Sequence, residues 1–193
     1  MKDQTEEIIK NTAKRMFFGE GKFHATTQEI ADEAGVNRTL INYYFRSRDN
    51  LFEIIFNEAR ITNINKTNVI ADNTLDFREM VAEYIDDSLS IALQFPYLQI
   101  YIVTQMNNKI CYSQPDHVEE MTTMFLQRVE EEMEKGTIAK MEPIQFLLNM
   151  ISLINFPSSI RPLLQHSLHI TDEEFERILS ERKEIILQTL FQS

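Results

Sequence analysis

The strongest constraint on this fold lies in residues 26–48, whose sequence is TTQEIADEAGVNRTLINYYFRSR. Thr26 opens a Thr-x-x-Glu capping box, in which two side chains satisfy free backbone donors at the start of a helix. Ala31 is small where two steeply crossed helices would meet, and Gly35 tolerates the positive φ of the turn between them. Ile41 supplies the apolar residue that closes the small core. The spacing predicts a helix-turn-helix.

The outward face of the second helix in this motif carries side chains suited to DNA. Arg38 and Asn42 are of the types that bond guanine and adenine edges, and Thr39 can contact a thymine methyl. Arg46 and Arg48 lie just beyond, where phosphates would lie, and the N–H groups at the start of the first helix of the motif can bind another phosphate. The face indicates DNA binding, although any αα-hairpin would share the apolar spacing.

Helical signals extend through the whole chain, and four Gly and five Pro give too few turns for an all-β fold. A first helix begins at Thr5 or Asp3 and ends near Gly21, and Asn37 caps the third. The further predicted helices are 47–65, 74–94, 96–108, 116–135, 143–156 and 172–191, with Pro157 and Pro162 marking a helix stop. We therefore predict an all-α protein of about nine helices, divided into an N-terminal three-helix domain, 1–50, and a larger helical domain, 51–193.

The net charge of −11 does not exclude DNA as a partner, because the acidic residues are unevenly distributed. Residues 1–60 carry a charge of about −1 and the rest about −10. The single cysteine, Cys111, excludes a disulfide framework and fits a reducing cytoplasm. No apolar run approaches the roughly 20 residues that span a bilayer, so we expect a cytoplasmic protein without a membrane partner.

Three runs, 26–31, 34–37 and 41–48, resemble the DNA-binding domain of TetR-family transcriptional regulators. The resemblance covers about residues 5–56, with Thr39, Asn42 and Arg48 departing modestly from the usual motif. It implies a double-stranded DNA operator of palindromic sequence, bound by two symmetric motifs. From the resemblance and the exposed face together, the predicted DNA contacts are Thr26, Thr27, Asn37, Arg38, Thr39, Asn42, Tyr43, Tyr44 and Arg48. For Tyr44, whose phase matches that of Ile41, burial of the ring is the alternative.

The resemblance also implies that the C-terminal domain binds a small-molecule effector and forms a homodimer. The sequence supports a dimer independently, since residues 143–156 are apolar on nearly all faces and 172–191 carry one broad apolar stripe. The predicted interface residues are Leu148, Ile151, Asn155, Phe175, Ile178, Leu179, Ile186 and Leu190. Packing of both helices on the core of their own domain is the alternative.

Methionine, aromatic and amide side chains of the C-terminal domain are candidates for the effector pocket, because such pockets have apolar walls with few polar groups. The candidates are Met80, Tyr84, Tyr101, Gln105, Met106, Met121, Met124, Phe125 and Asn149. Ordinary core packing explains the same spacing.

A helical-bundle enzyme and a protein-binding adaptor are the alternative functions. The sequence has no paired Glu-x-x-His motifs, no HExxH and no glycine-rich phosphate loop, and its four histidines are scattered. We therefore expect no catalytic residue, no metal and no cofactor. The resemblance favours a repressor whose effector changes the spacing of the two recognition helices, with the fourth helix as the lever between pocket and DNA.

Overall fold

Helices form all the regular structure in the part of the chain that the computed structural model describes, residues 2–67, 75–107 and 117–191. Within these ranges there are eleven α-helices, and the all-α prediction is confirmed. They are α1 (Lys2–Lys14), α2 (Thr27–Glu33), α3 (Arg38–Phe45), α4 (Arg48–Thr67), α5 (Phe77–Gln94), α6 (Leu98–Asn107), α7 (His117–Lys135), α8 (Pro143–Ser159), α9 (Arg161–Leu168), α10 (Asp172–Ser180) and α11 (Arg182–Leu190). A π-helical turn, Arg15–Gly19, continues α1.

The local signals of the helix-turn-helix have the predicted geometry. Thr26 and Glu29 form a reciprocal capping box at the start of α2. Asn37 caps α3 by accepting a hydrogen bond from the Thr39 N–H. Gly35, in the turn, has a φ of +65°, a conformation that a glycine adopts without steric cost. These contacts span at most three residues, so the sequence alone was enough to predict them.

Two hydrophobic cores organise the chain. The first packs α1 and the π-helical turn against α2, α3 and α4. Leu98 and Ile102 of α6 also belong to it, so a helix well beyond the predicted boundary at residue 50 contributes directly to this core. By packing, α4 belongs to this core through Leu51, Phe52, Ile55 and Ala59, all beyond the predicted boundary at residue 50. The second core joins α5, α7, α8 and α11.

Pro157 does not end its helix as predicted. Helix α8 continues to Ser159 with this proline inside it. A proline has no N–H to donate to the carbonyl four residues earlier, here that of Leu153. Arg182 of α11 donates from Nη2 (2.8 Å) and Nε (3.2 Å) to this carbonyl instead. A partner distant in sequence therefore replaces the missing hydrogen bond.

The C-terminal region contains more helices than predicted. Pro162 lies in the first turn of α9, a position that favours proline, and so it begins a helix where a stop was expected. The predicted helix 172–191 is two helices, because α10 ends at Ser180 and α11 begins at Arg182, with Glu181 as the cap residue between them. Thr171 and Glu174 form the capping box of α10.

Candidate DNA interface and ligand cavities

Helix α3 has one buried face and one exposed polar face. Ile41 and Phe45 are buried in the first core and fix the rotation of the helix. On the opposite side, the predicted contacts Arg38, Thr39, Asn42 and Tyr43 are all exposed. Tyr43 is a large aromatic ring that is 66% exposed. The structure thus brings four predicted DNA contacts together on the surface of one helix.

Asn37 and Thr39 are oriented by the cap of α3. The Asn37 Oδ1 accepts from the Thr39 N–H at 2.9 Å and from the Thr39 hydroxyl at 2.7 Å. Both side chains are exposed. The cap therefore holds two polar side chains at the N-terminal end of α3, the end that contacts base edges in helix-turn-helix complexes.

Thr26 is exposed and Thr27 half-buried at the start of α2. The Glu29 carboxylate accepts from the Thr26 N–H at 2.7 Å and from its hydroxyl at 2.8 Å. These bonds, the backbone one first, hold the pKa of Glu29 below its ordinary value. The carboxylate thus shares this helix start with any phosphate that binds there.

Tyr44 is half-buried, which is intermediate between the two predicted alternatives, a buried ring and an exposed DNA contact. Its ring packs edge-on against Tyr43, with 5.1 Å between the ring centroids. It also packs against the buried Phe45 at 6.1 Å. Tyr44 thus supports the position of the exposed Tyr43 ring.

Arg48 is turned into the domain and away from the exposed face. Its Nε donates to the Ala25 carbonyl at 3.2 Å, and its Nη2 donates to the Phe23 carbonyl. Its Nη1 pairs with Asp49 at 3.0 Å. The guanidinium also lies over the Phe17 ring, 5.2 Å from its centroid. All three nitrogens are engaged within the protomer, and the phosphate contact of Arg48 stays a prediction.

Arg46 is the other cation for which the sequence predicts a phosphate contact. It is exposed and caps the C-terminal end of α3 with a φ of +66°, which is unusual for a residue other than glycine. Its N–H donates to the Asn42 carbonyl at 3.0 Å. Arg46 and Arg48 lie two residues apart in the sequence, and no local pattern shows which of the two turns outward.

An apolar cavity lies between α5, α7 and α8. It is about 490 Å³ including its mouth, and its lining residues are Tyr84, Val118, Met121, Thr122, Phe125, Leu147 and Ile151. Three predicted pocket residues, Tyr84, Met121 and Phe125, are thus brought together. Ile151, predicted at the dimer interface, lines this cavity as well.

A smaller polar cavity lies one helical turn further along α5 and α8, beneath the α5–α6 connection. Its lining residues are Tyr84, Ser88, Ile91, Ala92, Phe95, Pro96, Leu98, Gln99, Asn155 and Ser158. Tyr84 is common to both cavities. Asn155, predicted at the dimer interface, is a wall of this cavity.

The other predicted pocket residues lie elsewhere. Tyr101 belongs to the N-terminal domain's aromatic cluster, with its ring centroid 4.8 Å from that of Phe52, because α6 packs on the first core. Met80 is fully buried in the second core, Asn149 is exposed, and Met124 borders a polar surface groove. The side chains of Gln105 and Met106 lie outside the described residues.

Four residues predicted at the dimer interface are already covered within one protomer. Phe175, Leu179, Ile186 and Leu190 are buried, because α10 and α11 pack on α5 of the same protomer. Their place in an interface between copies stays a prediction. Ile178 is half-buried, and Leu148 is 48% exposed on α8.

Neither a metal centre nor a membrane span is found among the described residues. They contain no group of three or more His, Cys, Asp or Glu side chains placed to hold a metal ion. No described helix combines the length and the apolar content needed to cross a bilayer.

Residues 9–55 match the family model described as bacterial regulatory proteins, tetR family. Three solved structures are similar to the chain along nearly its whole length. HlyIIR, a hemolysin II transcriptional regulator, is 18% identical with a TM-score of 0.61, and the match covers 100% of both chains. A TetR-family regulator from Haemophilus influenzae is 16% identical with a TM-score of 0.57, over 99% of this chain and 98% of that one. PfmR, a TetR-family regulator from Thermus thermophilus, is 15% identical with a TM-score of 0.55, over 97% of each. No curated protein matches the sequence.

Proposed function

We propose that this chain, which has the fold of the TetR-family transcriptional regulators, is a repressor that binds a palindromic operator as a homodimer and leaves it when a small molecule binds. The observation that carries the proposal is the exposed polar face of α3. Arg38, Thr39 and Asn42 lie on it, opposite the buried Ile41. Side chains of these types on one helix suit base edges in a major groove.

We assign the base contacts to Arg38, Thr39, Asn42 and Tyr43, and a phosphate contact to Arg46. Arg46 takes the phosphate role because its side chain is exposed, whereas Arg48 is bound to carbonyls of its own domain. Thr26 and Thr27 lie at the start of α2, where backbone N–H groups favour an anion. The proposal places the protein in the cytoplasm, where its DNA lies, and gives it no catalytic role.

The DNA test uses a titration of the protein against duplexes selected from a random pool and against DNA flanking its own gene. Arg38→Ala combined with Asn42→Ala removes two base contacts and should weaken binding at least about tenfold. Arg177→Ala is the matched control, since Arg177 is an exposed arginine of α10. If neither pool yields a selective duplex, or if the double variant binds like the control, the α3 face has no role in DNA binding. The adaptor and enzyme alternatives would then remain.

The homodimer is proposed from the outer face of α8. This helix, Pro143–Ser159, contains no charged residue. Its inner side is in the second core, but Leu148 and Phe156 are 48% and 60% exposed, and Leu163 of α9 is 60% exposed. Exposed apolar side chains on a helix without charges suit an interface with a second copy.

Leu148→Glu combined with Phe156→Glu tests this interface. The double variant should be monomeric by light scattering at concentrations where the wild type is a dimer, because two carboxylates would be buried without partners. Ile8→Glu, an exposed apolar position on α1, is the control and should leave the mass unchanged. A dimer that survives the double variant would place the interface elsewhere.

Effector release requires contact between the two domains, and α4 and α6 provide it. Helix α4 packs on α5 as well as in the first core. Tyr101 of α6 lies among aromatic rings of the N-terminal domain, 5.2 Å from the Phe23 ring and 6.0 Å from the Phe18 ring. We therefore propose that the α5–α6 connection, together with α4, transmits a change in the C-terminal domain to the DNA-binding face.

A further inference from the structure

The hydroxyl of Ser158 is a buried polar group without a partner. Ser158 is 4% exposed, and its Oγ has no hydrogen bond within the described part of the chain. A buried hydroxyl that lacks a partner is unfavourable, so natural proteins rarely leave one unless a ligand, ion or water completes it. Ser158 lines the polar cavity. A buried hydroxyl without a partner therefore belongs to a residue in the wall of this cavity.

The other polar groups of this cavity come from α5, α6 and α8. Tyr84 and Ser88 share a hydrogen bond on the α5 side. Gln99 contributes an amide from α6, and Asn155 contributes one from α8, its Nδ2 donating to the Ile151 carbonyl at 3.1 Å. Hydroxyl and amide groups both donate and accept, so this cavity suits a head group that does the same.

The apolar cavity adjoins the polar one at Tyr84, which lines both. Tyr84 and Ser88 are four residues apart on α5, and so are Ile151 and Asn155 on α8, the first of each pair lining the apolar cavity. Four residues of an α-helix rise about 6 Å, so these lining positions differ by about one helical turn along both helices. The Thr122 hydroxyl donates to the Val118 carbonyl at 2.8 Å, which leaves its methyl group to line the apolar cavity.

The described lining of the two cavities is unfavourable for a charged ligand. Every described residue that lines either cavity is uncharged. Burial raises the pKa of Tyr84, so its phenol stays protonated and neutral at physiological pH. A carboxylate or an ammonium entering either cavity would lose its hydration without gaining an ionic partner from these described walls, which is strongly unfavourable.

We propose that the two cavities on either side of Tyr84 form one site for an uncharged amphiphilic molecule, whose hydrogen-bonding head meets the Ser158 hydroxyl while its apolar body lies against Met121, Phe125 and Leu147. The inference rests on the proposed function, since it names the chemical class of the effector. The proposed site selects its ligand by the absence of charge on the head group as well as by the size of the molecule.

The experiment measures binding of 1-octanol and of octanoate to the full chain by isothermal titration calorimetry, without DNA. These probes share a length but differ in the charge of the head. We expect 1-octanol to bind saturably and octanoate to bind at least about tenfold more weakly. Ser158→Ala should weaken 1-octanol binding by about three- to tenfold, which corresponds to one lost hydrogen bond. Ser152→Ala is the matched control, because Ser152 is an exposed serine of the same helix.

Thermal unfolding of the ligand-free variants supplies the second readout. If the Ser158 hydroxyl is unpaired in the free protein, Ser158→Ala leaves the unfolding midpoint unchanged or raises it. If a trapped water already completes this hydroxyl, Ser158→Ala lowers the midpoint relative to Ser152→Ala and leaves 1-octanol binding unaltered, which overturns the proposal. Octanoate binding as tightly as 1-octanol, or an absence of saturable 1-octanol binding, overturns it as well.

The outcome is separable from that of the proposed function. The DNA titration is performed with ligand-free protein and does not depend on the cavities. Binding of 1-octanol that Ser158→Ala weakens, without release of the DNA, would support the site and reject effector-controlled release. Loss of DNA binding in the Arg38 and Asn42 variant, with no 1-octanol binding, would support the regulator and reject the neutral site.

Discussion

The ring of Tyr97 packs against the backbone of Gly21, so closely that a Cβ on Gly21 would lie 3.1–3.2 Å from three atoms of the ring. The Tyr97 N–H also donates to the Phe18 carbonyl at 3.0 Å. Tyr97 lies in the connection between α5 and α6, while Phe18 lies in the π-helical turn and Gly21 follows it. The small residue at position 21 therefore serves two purposes: it ends the first helical segment with a φ of +70° and it admits a ring from the α5–α6 connection.

Gly21→Ala tests this contact. Both the positive φ and the ring oppose the new methyl group, so the free energy of unfolding should fall by about 2–4 kcal/mol, measured by urea denaturation. Gly136→Ala is the control, because Gly136 also has a positive φ, +77°, but nothing lies within 4 Å of its added Cβ. It should lose only about 1–2 kcal/mol. Equal losses in the two variants would mean that the Tyr97 ring moves aside freely.

Arg48→Met separates a positioning role from a phosphate contact. Methionine removes both the charge and the hydrogen bonds to the Phe23 and Ala25 carbonyls. We expect a loss of about 1–2 kcal/mol in unfolding free energy, with the salt dependence of DNA binding unchanged. Arg46→Ala should show the reverse, wild-type stability with a salt slope reduced by about one. A reduced slope for the Arg48 variant alone would support the phosphate contact predicted for Arg48.

Pro157 and Arg182 provide a double-mutant cycle. Arg182→Met leaves the Leu153 carbonyl without its donor and should lower the unfolding free energy by about 1–3 kcal/mol. Pro157→Ala supplies an N–H that can donate to the same carbonyl within α8. The Arg182→Met substitution should therefore be less destabilising in the Pro157→Ala background, by about 1 kcal/mol or more. Additive effects of the two changes would show that the arginine stabilises the protein through packing alone.

Tyr84 should make the stability of the protein decline in alkaline solution. Burial raises its pKa above the ordinary value of 10.0, so the folded state retains the proton that the unfolded chain releases. The stabilisation is fully present below pH 10 and is lost as the pH rises toward the pKa of the folded protein, with a slope of up to about 1.4 kcal/mol per pH unit. Tyr84→Phe should flatten the decline above pH 10 in urea denaturation. Tyr43→Phe, at an exposed ring, should decline like the wild type.

The elements that sequence reasoning predicted well are those defined by short-range contacts. The capping box at Thr26, the Asn37 cap and the positive φ of Gly35 all involve residues within three positions of one another. Their geometry follows from backbone hydrogen bonding at a helix end, which is the same in any fold. For this reason the helix-turn-helix and the exposed face of α3 could be derived from the amino-acid sequence alone.

The partners of the remaining residues depended on the tertiary structure. An apolar stripe predicts that one face of a helix is buried but leaves open what covers it. The stripe of Phe175 and Leu179 therefore suggested a second copy, while the structure buries both within the protomer. Arg48 donates to the carbonyls of Ala25 and Phe23, which precede it by 23 and 25 residues in the sequence. The Leu153 carbonyl, which Pro157 leaves without a donor in α8, accepts from Arg182, 29 residues further along the chain.

The sequence by itself determined the all-α class, the helix-turn-helix and the set of side chains that α3 exposes, because hydrogen bonding and periodicity within a few residues specify them. Only the tertiary structure decided that Arg46 turns outward while Arg48 turns inward, that Tyr101 joins the N-terminal core, and that Ser158 is left unpaired beside a cavity. Those outcomes depend on which distant helices come into contact, and the free energy of such contacts is set by shape and burial that no local pattern records.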